Sequence, residues 1–164
     1  MQAAPFWDAL KSRGVTFFSG VPDSTFQAVY HHLLKDPDLR YVPAVREDVA
    51  LGIASAAYFH GKLGGVLMQN SGIGNIVNPL TSFSLMYRIP VLLVVGWRGY
   101  GGPPNDAPEH WIMGVKTLEI FNLLEVPCAV MERITWRPHW TGCLGQIQER
   151  STPGALLVRA GIIQ

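Results

Sequence analysis

Residues 65–95 read GVLMQNSGIGNIVNPLTSFSLMYRIPVLLVV and carry the clearest structural signal in the chain. Two short apolar runs, at 65–69 and 91–95, enclose a helix-like stretch at 75–87. Short buried strands that alternate with helices of about 10–15 residues are typical of βαβ units and a parallel sheet. This stretch therefore predicts one such unit in the middle of the chain.

The same alternation continues on both sides of the central unit. Further strands are predicted at 16–19, 41–44, 127–130 and 155–159, and further helices at 6–12, 24–34, 48–60, 114–124 and 139–150. Six strands with intervening helices predict an α/β fold, with a doubly wound, six-stranded, mainly parallel sheet flanked by helices. Because no linker divides the sequence, we expect residues 1–164 to form a single domain.

The composition excludes some classes of function. Of 164 residues, 48% are hydrophobic and only 15% are charged, against a typical charged share of about 25%. The 13 Lys and Arg residues against 12 Asp and Glu give a net charge of +1 without a basic block, which argues against binding to nucleic acid. The low charge content indicates that part of the surface does not face water.

The sequence shows no feature of secretion or membrane insertion. Two cysteines, Cys128 and Cys143, fit neither a disulfide framework nor the spacing of metal ligands. The first residues lack the order of a signal peptide, and the longest apolar run, at 89–96, is too short to cross a bilayer. We therefore expect a cytoplasmic protein that contacts no membrane and has no metal ligands of its own.

Polar residues gather in the loops that follow the predicted strands. Ligands of open parallel sheets bind beyond the carboxyl ends of the strands, where such loops meet. Asp23 and Ser24 follow the first strand, where helix capping and ligand binding explain them equally well. Glu47 follows the second strand and begins an apolar helix, where the helix dipole alone would account for a carboxylate.

The third loop contains four carboxamides, those of Gln69, Asn70, Asn75 and Asn78. Its glycines fit neither GxxxxGK nor GxGxxG, so it does not predict a phosphate-binding loop. Neutral amides are suited to orient a ligand by hydrogen bonds, although asparagines are also ordinary turn residues. Four of them within ten positions favour ligand binding.

The fourth loop begins at Arg98 and reaches His110 through a stretch rich in Gly and Pro. Long loops in small domains usually serve as lids or binding elements. Arg98 could bind an anionic group through its guanidinium fork, and His110 could transfer protons near neutral pH. A single histidine is, however, more often a plain surface residue. Basic and aromatic residues also mix at 133–140, which favours packing or a partner surface over nucleic acid.

These motifs together closely resemble a known family. The segments at 20–24, at Glu47, at 69–82 (QNSGIGNIVNPLTS) and at 96–99 are similar to the pyrimidine-binding domain, or alpha subunit, of the thiamine-diphosphate-dependent sulfopyruvate/phosphonopyruvate decarboxylases. The resemblance covers nearly the whole chain and is weakest after residue 133. It implies the doubly wound fold of that domain.

The resemblance also implies roles for single residues. Glu47 would hydrogen-bond the aminopyrimidine of thiamine diphosphate and favour the tautomer that generates the thiazolium ylide. By role, the implied residues are Glu47, Asp23 and His110 for catalysis, Glu47, Ile73 and Asn75 for the cofactor, and Ser24, Gln69, Asn70, Ser71 and Arg98 for the substrate, with Arg98 as the contact of an anionic tail.

A motif that is absent implies a partner. Enzymes of this kind hold the diphosphate through Mg²⁺ with a Gly-Asp-Gly motif on a second domain, and no Gly-Asp-Gly occurs in this sequence. The resemblance therefore implies a separate beta subunit that binds the diphosphate and Mg²⁺, and a hetero-oligomer. The implied substrate is a small anionic 2-keto acid, sulfopyruvate first and phosphonopyruvate second, which is converted to an aldehyde and CO₂.

Two alternatives stay open. The chain could be a non-catalytic homologue of the pyrimidine domain that binds and regulates a partner protein, although a scaffold has no need of Glu47 and the amide-rich loop. It could instead be a doubly wound domain that binds a nucleotide or flavin by itself. The missing phosphate-binding fingerprint argues against that reading.

Overall fold

A computed structural model describes residues 2–132 and 136–163, with no side chain described at 136–139. In the basic and aromatic segment at 133–140, residues 133–135 therefore lie outside the described residues, and residues 136–139 are described by their backbone alone. Its last member, Trp140, is buried in the core.

Within residues 2–132 and 136–163, six strands form one parallel sheet in the order β2-β1-β3-β4-β6-β5. Every predicted strand is present with its ends within two residues of the prediction, and the largest difference is the extension of β4 to Trp97. The strands are β1 Phe17–Gly20, β2 Arg40–Pro43, β3 Gly64–Gln69, β4 Val91–Trp97, β5 Cys128–Met131 and β6 Gly154–Arg159.

In the described residues, six α-helices accompany the strands: α1 Ala3–Lys11, α2 Gln27–Leu33, α3 Glu47–Ser55, α4 Ile73–Pro79, α5 Trp111–Leu123 and α6 Trp136–Arg150. Tighter 3₁₀ turns precede α2 at Ser24–Phe26 and follow α3 at Ala56–His60. The helix α4 continues into a wider π-helical segment at Leu80–Leu85. The backbone stays helical through each of these changes of pitch. This is why one continuous helix was predicted for each stretch, at 24–34, 48–60 and 75–87.

The sheet lies between two helical layers. Alternate residues of β4 face opposite cores, so Leu93 packs with α3, α4 and α5, whereas Leu92 packs with α1, α2 and α6. All seven residues of β4 are buried, as expected for a strand that is covered on both faces. The predicted doubly wound α/β fold is confirmed, and the sheet is entirely parallel.

The strand order creates a crevice between β1 and β3. The chain runs from β1 outward to β2 on one side, and from β3 outward to β4 on the other side. Ligands of open α/β sheets bind at such a reversal, beyond the carboxyl ends of the strands. The loops after β1 and β3, with Asp23 and Gln69, therefore flank the expected binding crevice. Within the described residues, no helix has the length and apolar character needed to cross a membrane.

Candidate functional site

Glu47 begins α3, and its side chain lies over the turn before α4. Asn75 donates a hydrogen bond from Nδ2 to Glu47 Oε2 over 2.7 Å. A methyl group at Gly72 would lie 2.5 Å from Glu47 Cδ, so only glycine leaves room for the carboxyl there. Glu47 is half-buried and takes its orientation from the neighbouring loop. A first-turn acid would need neither contact.

Asp23 is buried, and its carboxyl makes no hydrogen bond in the described part of the chain. Its side chain is 8% exposed, and neither carboxyl oxygen has a hydrogen-bond partner among the described residues. It does not cap the Ser24–Phe26 turn that follows it, so the capping explanation does not hold. A side chain at Gly96 would collide with Asp23 Oδ2, which shows that β4 makes room for the carboxyl. Because a buried carboxylate without hydrogen bonds costs free energy, Asp23 is a strong candidate for function.

Arg98 is engaged in an ion pair. Its Nε and Nη2 donate to the two oxygens of Asp106 over 2.6 and 2.5 Å, and its Nη1 donates to Ser24 Oγ over 3.3 Å. The backbone N–H groups of Gly99 and Ala107 also donate to Asp106. The Arg98 fork, assisted by these N–H groups, lowers the pKa of Asp106 well below its usual range. The charge of Arg98, the predicted anion contact, is therefore already neutralised within the chain.

Asn70 is a structural link in this geometry. Its Nδ2 donates to the carbonyl of Arg98 and to Thr117 Oγ1, both over 2.9 Å, and its Oδ1 accepts from the Arg98 N–H over 3.1 Å. The side chain is 1% exposed. These bonds tie the loops after β3 and β4 to α5. The structure does not support the predicted substrate contact, because the amide is buried and its hydrogen bonds are made inside the chain.

Ile73, the predicted neighbour of the pyrimidine, has no exposed surface. It packs in the core between the sheet and α3, α4 and α5. The structure does not support a contact with the cofactor, because the side chain is occupied in the core. Its place at the start of α4 instead fixes the helix that carries Asn75.

Gln69 and His110 meet at the same edge, although they lie 41 positions apart. Gln69 Nε2 and His110 Nδ1 are 3.3 Å from each other. The side chain of His110 is 15% exposed, and its Nε2 lies 4.0 Å from Glu109 Oε1. Ser71, in the turn after Gln69, is exposed. The structure thus brings His110 to the edge where its predicted role as a proton carrier requires it.

The predicted site residues follow adjacent strands. Glu47, Asp23 and Arg98 come after β2, β1 and β4, and Gln69 ends β3; in the sheet these strands are neighbours in the order β2, β1, β3, β4. Adjacent strands are about 4.8 Å apart. Two carboxyls, an imidazole and an amide on one edge can move protons and orient a polar ligand. Among the described residues, no group of three or more His, Cys, Asp or Glu side chains is placed to hold a metal ion.

Sequence reasoning missed several residues of this edge. Gly72 and Gly96 leave space for the two carboxyls, and Thr117 anchors Asn70. Gly96 carried a weak signal, because it interrupts the apolar run of β4. Arg159, at the end of β6, carried none, since an arginine after an apolar strand looks like any solvent-facing residue.

Fold and site together define a doubly wound α/β domain with an oriented, half-buried carboxylate beside a binding crevice at the carboxyl edge of its sheet. Residues 3–117 match the family model described as "Thiamine pyrophosphate enzyme, N-terminal TPP binding domain". The chain belongs to this family.

Curated relatives fall into two groups. The phosphonopyruvate decarboxylases of Streptomyces viridochromogenes and Streptomyces hygroscopicus are 32% and 31% identical over 98% and 99% of the chain. The chain spans 41% of the length of each of them. The sulfopyruvate decarboxylase subunit alpha of Methanothermobacter thermautotrophicus is 37% identical over 72% of the chain and 70% of that relative.

Proposed function

We propose that the chain is the pyrimidine-binding subunit of a thiamine-diphosphate-dependent decarboxylase. Its substrate is a 3-substituted pyruvate with an anionic tail, sulfopyruvate first and phosphonopyruvate second, and its products are the aldehyde and CO₂. The family and the names of the relatives support this proposal. The observation that carries it is the Glu47 carboxyl, held by Asn75 over Gly72.

The residues around Glu47 fit the cofactor. One carboxyl oxygen is fixed by Asn75, and the side chain is half-exposed, so a ring nitrogen can approach the carboxyl. Thiamine diphosphate, when bound, supplies an electron sink for cleavage of the bond between the keto carbon and the carboxylate. Glu47 would hold a proton against the pyrimidine ring, while Asn75 and Gly72 keep the carboxyl in line.

Asp23 and His110 supply the remaining proton chemistry in this proposal. Loss of CO₂ must be followed by protonation of the former keto carbon, so a proton donor is needed at the crevice. Asp23 lies on the β1 side, with both oxygens unpartnered among the described residues, and His110 lies on the β3 side, oriented by Gln69. The exposed hydroxyls of Ser24 and Ser71 are available for substrate at the same edge.

The diphosphate and its Mg²⁺ are assigned in this proposal to a beta subunit, so that the enzyme is a hetero-oligomer. Exposed apolar side chains, two of them next to Glu47 in the sequence, support a protein partner. Val45 and Val49, on either side of Glu47, are 88% and 44% exposed, and Ile112 on α5 is 77% exposed. Such residues are typical of permanent interfaces, which are more apolar than the rest of a protein surface.

The test uses the chain co-purified with its candidate beta subunit, thiamine diphosphate and Mg²⁺. Aldehyde release is measured from sulfopyruvate and phosphonopyruvate with the wild type, Glu47→Gln and Glu149→Gln, an exposed glutamate on α6. We expect Glu47→Gln to lower kcat by about 10²- to 10⁴-fold, the contribution of a positioned acid or base, and Glu149→Gln to leave kcat unchanged. A complex that binds the cofactor but turns over neither substrate contradicts the substrate assignment. Turnover that is unaffected by Glu47→Gln contradicts the catalytic reading and favours a regulatory homologue.

A further inference from the structure

A second cleft opens at the carboxyl edge of the sheet. It has a volume of about 680 Å³ and lies between the Ser24–Thr25 turn, the loop after β4 and the end of β6. Two arginines line it, Arg98 and Arg159. In the sheet, β6 is the neighbour of β4, and Arg159 is paired in register with Trp97, the residue before Arg98.

The two arginines differ in what they contact. Arg98 is engaged by the carboxylate of Asp106 and by Ser24. Arg159 is stacked on the Tyr100 ring, with its guanidinium carbon 4.7 Å from the ring centre. Its Nε is buried without a hydrogen-bond partner, and no carboxylate lies within ion-pair distance of it in the described part of the chain.

The surroundings of Arg159 favour the binding of an anion. The Tyr100 ring fixes the plane of the guanidinium, which reduces the entropy lost when the fork binds. Since Arg159 lines the cleft and forms no ion pair with a carboxylate in the described part of the chain, its guanidinium fork is available to an oxyanion that enters the cleft. Ser24, an exposed residue, lines the same cleft.

The position of Arg159 suits the tail of the proposed substrate. Two strand spacings, roughly 10 Å, separate the end of β3 with Gln69 from the end of β6 with Arg159. This distance is covered by two groups together. One is a substrate with its keto group near the crevice, and the other is the Arg159 side chain, which extends from β6. Arg98, between them, is held in place by Asp106 and by the Asn70 amide.

We propose that Arg159 binds the anionic tail of the substrate, a sulfonate or phosphonate on the third carbon, while Arg98 is a positioning residue for the wall of the cleft. This assignment rests on the proposed function and names the specificity residue of the same site. The sequence analysis predicted Arg98 as the contact of the anionic tail, and this proposal assigns the contact to Arg159 instead.

The kinetic test compares Arg159→Met, Arg159→Lys and the matched control Arg150→Met, an exposed arginine on α6, in the complex with the beta subunit. Sulfopyruvate and phosphonopyruvate are compared with 2-oxobutyrate, which lacks the charged tail. We expect Arg159→Met to lower kcat/KM for the tailed substrates by about 10- to 100-fold, mainly through KM, since a charge-assisted hydrogen bond is lost. We expect Arg159→Lys to retain part of the activity that Arg159→Met loses. The control Arg150→Met should stay within about twofold of wild type for all substrates. Turnover of 2-oxobutyrate by Arg159→Met should also stay within about twofold of wild type.

A binding measurement on the same complexes separates this inference from the proposed function. Ethanesulfonate and ethylphosphonate, the tails alone, are titrated by calorimetry into the wild type, Arg159→Met and Arg150→Met. If the wild type and Arg150→Met bind the tails and Arg159→Met does not, the result supports an anion site at Arg159. This holds even if the wild type decarboxylates neither substrate. In that event the proposed function is wrong, while the anion site is supported. Where the wild type does turn over a tailed substrate, an unchanged KM in Arg159→Met overturns the inference and leaves the function intact. An equal loss for tailed and tailless substrates also overturns it, because it shows a structural role.

Discussion

Glu47 and Asp23 are two carboxyl groups at the same edge of the sheet, and each lies against a glycine. Gly72 leaves space for Glu47, and Gly96 leaves space for Asp23. Glu47 is half-buried and accepts a hydrogen bond from Asn75, whereas Asp23 is 8% exposed and its carboxyl has no hydrogen-bond partner in the described part of the chain. The chain therefore fixes the direction of one carboxyl and keeps the other away from water.

The difference indicates two kinds of task. A carboxyl that must meet a ring nitrogen at one angle gains from a fixed orientation, which Asn75 and Gly72 provide. A carboxyl that exchanges a proton with substrate gains from a dry site without competing partners inside the protein. The stability that Asp23 costs is consistent with a group retained for its chemistry.

The largest effect should come from breaking the orientation of Glu47. Gly72→Ala places a methyl group 2.5 Å from Glu47 Cδ, so the carboxyl must move. We expect kcat to fall by about 100-fold, because a displacement of about 1 Å at a catalytic group costs that much. Aldehyde release by the complex measures the change.

Gly74 provides the matched control for this substitution. A methyl group at Gly74, two residues further along in α4, would meet nothing within 4 Å. Gly74→Ala should therefore keep full activity and gain helix stability of about 0.5–1 kcal/mol. Equal activities of the two alanine variants would show that the room left by Gly72 has no bearing on catalysis.

An effect on turnover that is no larger should follow from replacing the Asp23 carboxyl. Asp23→Asn replaces a buried carboxyl that lacks hydrogen bonds by a neutral amide of the same shape, so we expect the free energy of unfolding to rise by about 1 kcal/mol. Turnover should fall at the same time, by about 10²-fold, because the amide cannot carry the proton. Urea denaturation and aldehyde release measure the two changes.

Asp38→Asn is the control, because the Asp38 side chain is 75% exposed. It should alter neither the unfolding midpoint nor the turnover. If Asp23→Asn destabilises the chain instead, the carboxyl has a structural partner and the contrast with Glu47 fails.

Asp106 sharpens the comparison as a third, fully partnered carboxyl, with the smallest expected effect. Its pKa is lowered chiefly by the hydrogen bond from Arg98. A lowered pKa in the folded state stabilises the protein above the unfolded value of about 4, and this stabilisation is lost as the pH falls further. We expect the wild type to be more stable than Asp106→Asn at pH 7, and the gap to narrow below pH 4.

Asparagine suits this test, because it tolerates the positive φ of 71° at position 106. Urea midpoints at pH 7, 4 and 3 give the gap directly. A gap that stays constant over this range would show that the Arg98–Asp106 pair contributes nothing that depends on ionisation.

Much of the fold could be predicted, because each strand is a short apolar run between turn residues. β4 shows this well, since Val91 to Val95 are buried on both faces and leave an unbroken apolar pattern. The loops at the carboxyl edge were predicted as the site for the same reason. What local patterns do not contain is which polar groups the chain uses internally.

Asn70 and Arg98 illustrate this limit. The partner of Asn70 in α5, Thr117, is 47 positions away, and the hydrogen bonds of Asn70 to Arg98 span 28 positions. Arg98 is only eight positions from Asp106, but a turn rich in Gly and Pro must fold back to join them. Such pairings depend on the packed tertiary structure, which no spacing rule captures. Arg159 was missed because the absence of a carboxylate beside it, in the described part of the chain, follows from the tertiary structure and not from the local sequence.

The position of β6 has a consequence for how the protein matures. This strand is synthesised after β5, yet it lies between β4 and β5 in the sheet. Until it enters, two parallel strands expose unpaired edges, which are prone to aggregate, and parallel pairing over long sequence separations is slow. A nascent chain can therefore assemble the neighbourhood of Glu47 first and acquire Arg159 only on closure of the sheet. If Arg159 binds the substrate tail as proposed, tail binding requires that β6 has joined the sheet.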